Sequence, residues 1–138
     1  YTAKKSGAFD SPDTWTDGFA PDGDSTVTIP PGIAVTLTGS TLTAIVRTLT
    51  ISGSLAISST GATGFTFPFG ISIVVQGGGS LLDQTDNGRL YIRSDSVLTF
   101  LPGASFTGRS SQLLTFTGST GGQGVGASVS LGSRVTGP

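Results

Sequence analysis

The sequence predicts an all-β fold, and within that class a right-handed parallel β-helix (β-solenoid) with an N-terminal cap. Apolar and hydroxyl residues alternate along most of the chain, which is the pattern of a strand with one buried face. A unit of two such strands around a short turn recurs, and no long stretch shows the 3.6-residue period of a helix. An antiparallel β-sandwich is the alternative all-β fold.

The recurring strand–turn–strand unit favours the solenoid over the sandwich. It spans residues 27–37, 49–57 and 90–100, so its starts fit one turn and then two turns of a coil with roughly 20 residues per turn. Each unit bends the chain at a corner and leaves apolar residues on both sides of the bend. Two-residue hairpin turns, which antiparallel strands favour, are few, and Asn87-Gly88 is the clearest.

The cap is the first element of the predicted single domain, which spans residues 1–138. Residues 1–24 are polar and rich in aspartate, and they carry Phe9, Trp15 and Phe19. A solenoid must cover the open end of its first turn, because that end exposes both apolar side chains and unpaired backbone groups. We therefore assign residues 1–24 to a cap.

The coil is predicted over residues 25–138, with strands joined by turns rich in glycine, proline and serine. Two segments break the alternation: residues 60–70, where three phenylalanines and Pro68 indicate an excursion from the coil, and residues 117–128, which indicate a flexible loop. The predicted strands are 27–29, 35–38, 49–51, 55–57, 71–73, 90–92, 97–100, 113–116 and 129–131.

The composition excludes several classes of function. The chain contains no histidine or cysteine, which removes histidine triads, thiol nucleophiles and the usual zinc, haem and iron–sulfur ligand sets. Seven scattered cations and a net charge of −1 argue against nucleic-acid binding, which needs a basic stripe. No apolar run approaches the ~20 residues that span a bilayer, so we expect no membrane insertion.

The opening of the chain carries a family resemblance. A series of short motifs precedes the paired-strand unit at 27–37 and 49–55. In order, the motif residues are Phe9, Asp10 and Pro12, Thr14 and Trp15, Gly18, Pro21, and Gly23 and Asp24. Over residues 6–57 this resembles the eight-glycine ("G-eight") domain of large extracellular and membrane-anchored proteins, including fibrocystin-like proteins and a hyaluronan-degrading cell-surface protein. Phe9 replaces a frequent tryptophan, and Ser11 separates Asp10 from Pro12. The resemblance implies an extracellular module and places no catalytic residue.

Five aspartates of the cap form a candidate calcium site. The sequence indicates no other cofactor. Calcium takes six to eight oxygen ligands, which carboxylates and loop carbonyls supply. The spacing departs from the Asp-x-Asp-x-Asp-Gly pattern of calcium loops. The alternative is that the carboxylates cap turns by accepting hydrogen bonds from nearby backbone N–H groups. The five residues are Asp10, Asp13, Asp17, Asp22 and Asp24.

Aromatic side chains are candidates for sugar binding, because a ring can stack on the apolar face of a pyranose. The candidates are Trp15, Phe65, Phe67, Phe69 and Tyr91. Phenylalanine has no polar group and often fills a core, so burial is the alternative for each of these rings.

A second candidate site contains cations. Arg89, Tyr91 and Arg93 share one alternating face, and Asp95 lies close by. Arginine pairs with carboxylates in a fork geometry, so this face suits an acidic sugar. An ordinary solvated strand edge is the alternative.

Threonine pairs flanking an apolar residue recur at 26–28, 36–38, 41–43, 48–50 and 115–117. Stacked on successive turns, such pairs would form a flat hydroxyl array like those of ice-binding β-solenoids. Plain β-propensity explains the same pattern, and the motif is sparse after residue 50.

The predicted function is that of a non-catalytic structural or adhesion module in a larger secreted or cell-surface protein. Low charge and abundant serine, threonine and glycine are typical of extracellular repeat-rich proteins. The expected partners are neighbouring domains, further copies of the chain in a filament, or a glycan bound weakly. Two alternatives are a fragment of a polysaccharide-degrading enzyme, hyaluronidase-like or lyase-like, and an ice-binding β-solenoid.

Overall fold

The structure, a computed structural model, confirms the right-handed parallel β-helix. It describes residues 1–22, 24–39, 46–58, 65–67, 70–84, 90–92, 96–107, 115–116, 128–131 and 135–136; for residues 66, 83, 90–92 and those from 115 onward it describes the backbone alone. In chain order the strands are β1 (Gly7–Ala8), β2 (Ser25–Ile29), β3 (Ala34–Thr38), β4 (Val46–Ile51), β5 (Ser54–Ser58), β6 (Phe65–Thr66), β7 (Ser72–Val75), β8 (Ser80–Asp83), β9 (Leu90–Ile92), β10 (Val97–Phe100), β11 (Ser105–Thr107), β12 (Thr115–Phe116), β13 (Ser128–Leu131) and β14 (Val135–Thr136).

Three sheets surround the core. Sheet I has the order β2-β4-β7-β10-β13, sheet II the order β1-β3-β5-β8-β11-β14, and sheet III the order β6-β9-β12. The strands within each sheet pair in parallel, so the sandwich alternative is wrong. A 3-10 turn spans Pro12–Thr14, and no helix among the described residues is long and apolar enough to cross a membrane.

The core consists of apolar columns that run along the coil axis. In-register pairing places each inward residue on its equivalent in the previous turn, so hydrocarbon stacks on hydrocarbon. The inward side chains that form these columns are fully buried. The columns are Val27, Leu49, Ile73 and Leu98; Ile29, Ile51, Val75 and Phe100; and, in sheet II, Val35, Leu55, Leu81 and Phe106.

The third sheet makes a turn of the coil longer than predicted. Ser80 and Ser105 occupy neighbouring turns and lie 25 residues apart, as do Ile71 and Ser96. Residues 65–67, predicted as part of an excursion, belong to this wall of the coil: Phe65–Thr66 pairs with β9, and Phe65 and Phe67 are buried in the core. The remainder of residues 60–69, and residues 117–127, lie outside the described residues.

The three predicted strand–turn–strand units do not occupy the same corner. Residues 27–37 and 49–57 both join sheet I to sheet II, so these two units occupy equivalent corners on successive turns. Residues 90–100 instead join β9 of sheet III to β10 of sheet I. An apolar–polar–apolar pattern on both sides of a bend is the same at every corner of a three-sided coil, so it cannot distinguish one corner from another.

Three of the four described corners between sheets I and II follow one design. The first (residues 30–33), third (76–79) and fourth (101–104) are four-residue turns, each closed by a hydrogen bond from the last N–H to the first carbonyl. Their third residues, Gly32, Gly78 and Gly103, have φ of 79°, 84° and 89°, which marks type II turns that favour glycine. The second corner contains Ser52 and Gly53 alone, so it is two residues shorter.

The cap covers the first turn, and its outer layer ends the parallel pairing. Ala3 N donates to Thr28 O (3.0 Å) at the edge of β2, and Phe9 N donates to Thr36 O (2.8 Å) at the edge of β3. A segment around Trp15 then runs antiparallel to Ala3 and forms the outermost layer. The backbone groups of the first coil edge are thus paired within the chain, which protects an otherwise exposed sheet edge.

We predict that Gly53→Ala destabilises the coil by about 2–3 kcal/mol, because the added Cβ would overlap the carbonyl oxygens of Pro30 and Ile33 and force backbone movement. Urea denaturation followed by far-UV circular dichroism measures the change. The neighbouring Ser52→Ala, at a partly exposed position, is the control and should change the free energy of unfolding by less than about 0.5 kcal/mol. Equal effects of the two substitutions would contradict the tight corner.

Candidate functional site

The five cap aspartates do not converge on a metal site. Asp22 accepts a hydrogen bond from the Tyr1 hydroxyl (2.6 Å), and Asp24 forms an ion pair with Arg47 (2.6 Å). Asp10, Asp13 and Asp17 are exposed. Within the described residues no three metal-ligating side chains are grouped, so the structure does not bring the five carboxylates of the candidate calcium site together as one ligand set. Two of its carboxylates are instead bound to side chains of this chain.

The contact between Tyr1 and Asp22 alters the ionisation of the phenol. The hydrogen bond to the Asp22 carboxylate favours the protonated phenol and raises the pKa of Tyr1 above its usual value, and the negative charge of Asp22 acts in the same direction. The contact is therefore lost as the pH rises through the raised pKa of the phenol.

The buried aromatic residues have no surface with which to bind a sugar. Trp15 is 0% exposed, packs edge-on against Phe9 with ring centroids 5.2 Å apart, and donates from Nε1 to Phe9 O (2.8 Å). Phe65 and Phe67 are fully buried and pack edge-on against each other. The prediction that these three rings bind a ligand is therefore wrong, because hydrophobic burial has taken both faces of each ring.

The remaining predicted ligand residues are described in part or not at all. Tyr91 lies in β9, where the backbone alone is described. Phe69, Arg89, Arg93 and Asp95 lie outside the described residues. The hypothesis of a cationic site for an acidic sugar thus stays a prediction.

Threonine pairs predicted to form one array are divided among the three sheets. Residues 26–28 and 48–50 lie in sheet I, residues 36–38 in sheet II, and residues 115–116 in sheet III. Residues 41–43 lie outside the described part of the chain. A single flat array is therefore restricted to the threonine pairs of sheet I.

Sheet I presents an uncharged outer surface, which we call the hydroxyl face. It consists of two rows, Thr26, Thr48, Ser72 and Val97, and Thr28, Thr50, Val74 and Thr99, each aligned along the coil by strand pairing. The nearest charged pair, Asp24 and Arg47, lies at one end of the face. There the register of β2 and β4 shifts at a bulge that directs both Arg47 and Thr48 outward.

The short second corner creates a notch that the sequence analysis missed. It is an open recess of about 400 Å³ between residues 31–34 and residues 77–80, and Ser52, Gly53 and Ser54 form its floor. The signal was present in the turn lengths, because the corner at 52–53 has two residues where 30–33 has four. The difference in turn length forms a notch only when the corners lie one above another along the coil, and the sequence alone does not show this alignment.

Comparisons with family models, with characterised proteins and with solved structures find no match, and they give no support to the resemblance of residues 6–57 to the G-eight domain.

We predict that Trp15→Phe lowers the free energy of unfolding by about 2–3 kcal/mol, because it shortens a buried ring and leaves the Phe9 carbonyl without its donor. Far-UV circular dichroism during urea denaturation measures the change, because the variant lacks the only tryptophan and so has no tryptophan fluorescence to follow. Phe19→Leu alters another aromatic residue of the cap, one that is 69% exposed, and should cost less than about 0.5 kcal/mol. A Trp15→Phe effect as small as this control would contradict the role of Trp15 as the plug of the cap.

Proposed function

We propose that this chain is a non-catalytic structural and adhesion module of a larger secreted or cell-surface protein, and that its hydroxyl face makes the contacts. The observation that carries the proposal is the alignment of uncharged outward residues over four turns of sheet I. Neutral hydroxyl groups at regular intervals match a neutral glycan or another repetitive surface better than a charged ligand.

The core supports this role because it holds the face rigid. Each outward residue alternates with an inward side chain that is fully buried, as Thr50 does with Leu49 and Ile51. A surface whose groups are already ordered loses little conformational entropy on binding, so weak contacts can add up along it. The strand spacing of about 4.8 Å sets the interval between successive hydroxyl groups.

Extracellular location is part of this proposal. The low charge and the abundance of serine, threonine and glycine support it. The polysaccharide-degrading alternative depends on Arg89, Tyr91, Arg93 and Asp95, and a turnover assay with hyaluronan, with and without calcium, separates the two functions. Cleavage that disappears in Asp95→Ala would overturn the non-catalytic proposal, and binding without cleavage would support it.

We predict that Thr50→Lys weakens binding to a neutral polysaccharide by about tenfold or more, because the ammonium and its long side chain disrupt the centre of the flat face. A glycan array identifies the polysaccharide, and titration with the purified glycan measures the dissociation constant. Thr36→Lys is the matched control, since Thr36 is equally half-buried but lies on sheet II. Absence of glycan binding, or equal loss in both variants, would contradict a contact through the hydroxyl face.

Ice binding is a second candidate function, favoured by one observation: Thr26 and Thr28 pair directly with Thr48 and Thr50. These four residues form a regular two-by-two patch of hydroxyl and methyl groups, and Thr99 continues one of its rows two turns further on.

If the patch binds ice, we expect thermal hysteresis at high protein concentration that is mostly lost in Thr48→Tyr, whose ring would protrude from the flat patch. The control Thr36→Tyr places the same ring on sheet II and should retain the hysteresis. A wild-type protein without hysteresis would remove this candidate.

A further inference from the structure

The notch exists because the corners between sheets I and II stack along the coil and the second corner is two residues shorter than those on either side of it. We call the outermost residues of each four-residue corner its tip. Four-residue corners stack directly where they are neighbours, as shown by the hydrogen bond from Gly78 N of the third corner to Gly103 O of the fourth (3.0 Å). The two-residue corner at Ser52–Gly53 interrupts this stack between the first and third corners. With a layer spacing of about 4.8 Å, the tips on either side lie about 9–10 Å apart, with one empty layer between them.

The floor of the notch has its backbone donors satisfied. Ser52 N and Gly53 N donate to Ile29 O at 2.8 and 3.0 Å, and Ser54 N donates to Ile33 O at 2.9 Å. The floor is therefore a fixed surface that does not need a ligand for its own stability.

The walls of the notch differ from the floor. The backbone N–H groups of Gly32 and Gly77 have no hydrogen-bond acceptor among the described residues, and the hydroxyls of Ser52 and Ser54 have no partner there either. A Cβ added at Gly32 would meet no atom within 4 Å, so this wall is open to the approach of another backbone, whereas the Cβ position of Gly77 lies against Pro102 O of the fourth corner. No charged side chain and no aromatic ring is among the described residues that line the notch.

We propose that the notch binds a short, uncharged segment of a partner polypeptide, which enters as the missing backbone layer. A single backbone segment is one layer thick and presents C=O groups that the unpaired N–H groups of Gly32 and Gly77 can bind. The absence of a charged group in the described lining disfavours an ionic ligand, and the absence of a ring disfavours stacking of a sugar.

The occupant differs from that of the hydroxyl face, and its binding does not depend on the proposed function. The notch lies at the corner between sheets I and II, whereas the hydroxyl face is the outer surface of sheet I. A protein that binds no glycan can still bind a peptide here.

The test uses a capped peptide that copies residues 75–80, because this stretch forms an uncharged four-residue corner of the kind that the second corner lacks. Titration of the ¹⁵N-labelled chain is followed by nuclear magnetic resonance. We expect saturable shifts of the Gly32, Gly53 and Gly77 amide signals, while Gly39, whose surroundings exclude the notch, stays unchanged. A panel of neutral monosaccharides is titrated in parallel.

Two variants make the result specific. Insertion of two glycines between Ser52 and Gly53 restores a four-residue corner, fills the notch from within, and should weaken peptide binding by about tenfold or more. Ser52→Gln blocks the floor with a side chain and should have the same effect if the insertion fails to fold. Thr50→Lys alters the hydroxyl face and should bind the peptide like the wild type.

Absence of peptide shifts up to the solubility limit, equal binding by wild type and a folded filled variant, or shifts with the sugars alone would each overturn the proposal.

Discussion

Parallel in-register stacking of apolar columns is the constraint on which the rest of this structure depends. Each inward residue must meet its equivalent in the next turn, since a shift by one residue would turn the strand over and expose its apolar side chains. The columns that contain Ile51 and Leu55 therefore fix the positions of the strands in every turn. Differences in length between turns are accommodated outside the strands. The two-residue corner at Ser52–Gly53 is such a difference, and the notch is its direct result.

The alternation of apolar and hydroxyl residues was sufficient to predict the solenoid and most of its described strands, and the polar, aspartate-rich composition of residues 1–24 indicated the cap. The alternation could not predict which corner residues 90–100 occupy, because the pattern is local and the corner depends on the summed length of a turn. The same limit explains why the sequence does not show that the threonine pairs at 26–28 and 36–38 lie on different sheets. Nine of the fourteen strands in the described part of the chain were predicted, whereas β1, β6, β8, β11 and β14 were missed.

The positions of the cap aspartates are decided by partners that are distant in sequence. Asp22 is bound by Tyr1, 21 residues away, and Asp24 by Arg47, 23 residues away. No local spacing of aspartates reveals such contacts. Phe65 and Phe67 show a related limit: their segment departs from the common pattern, yet burial of two rings in the core outweighs its irregular sequence. The two surfaces proposed for binding, the hydroxyl face and the notch, both lack charge among the described residues.

The antiparallel layer around Trp15 gives the coil a direction of growth. Parallel turns can be duplicated or deleted downstream of β3. Each turn pairs on the strand edges of the turn before it and offers strand edges of the same kind to the turn after it. The cap end does not allow this, because a strand arriving there meets a segment that runs the other way, with Thr16 N already donating to Thr2 O and Lys4 N to Thr14 O. Lengthening of such a domain during evolution, and any fibre built by adding coil to coil, must therefore leave the cap at the outer end.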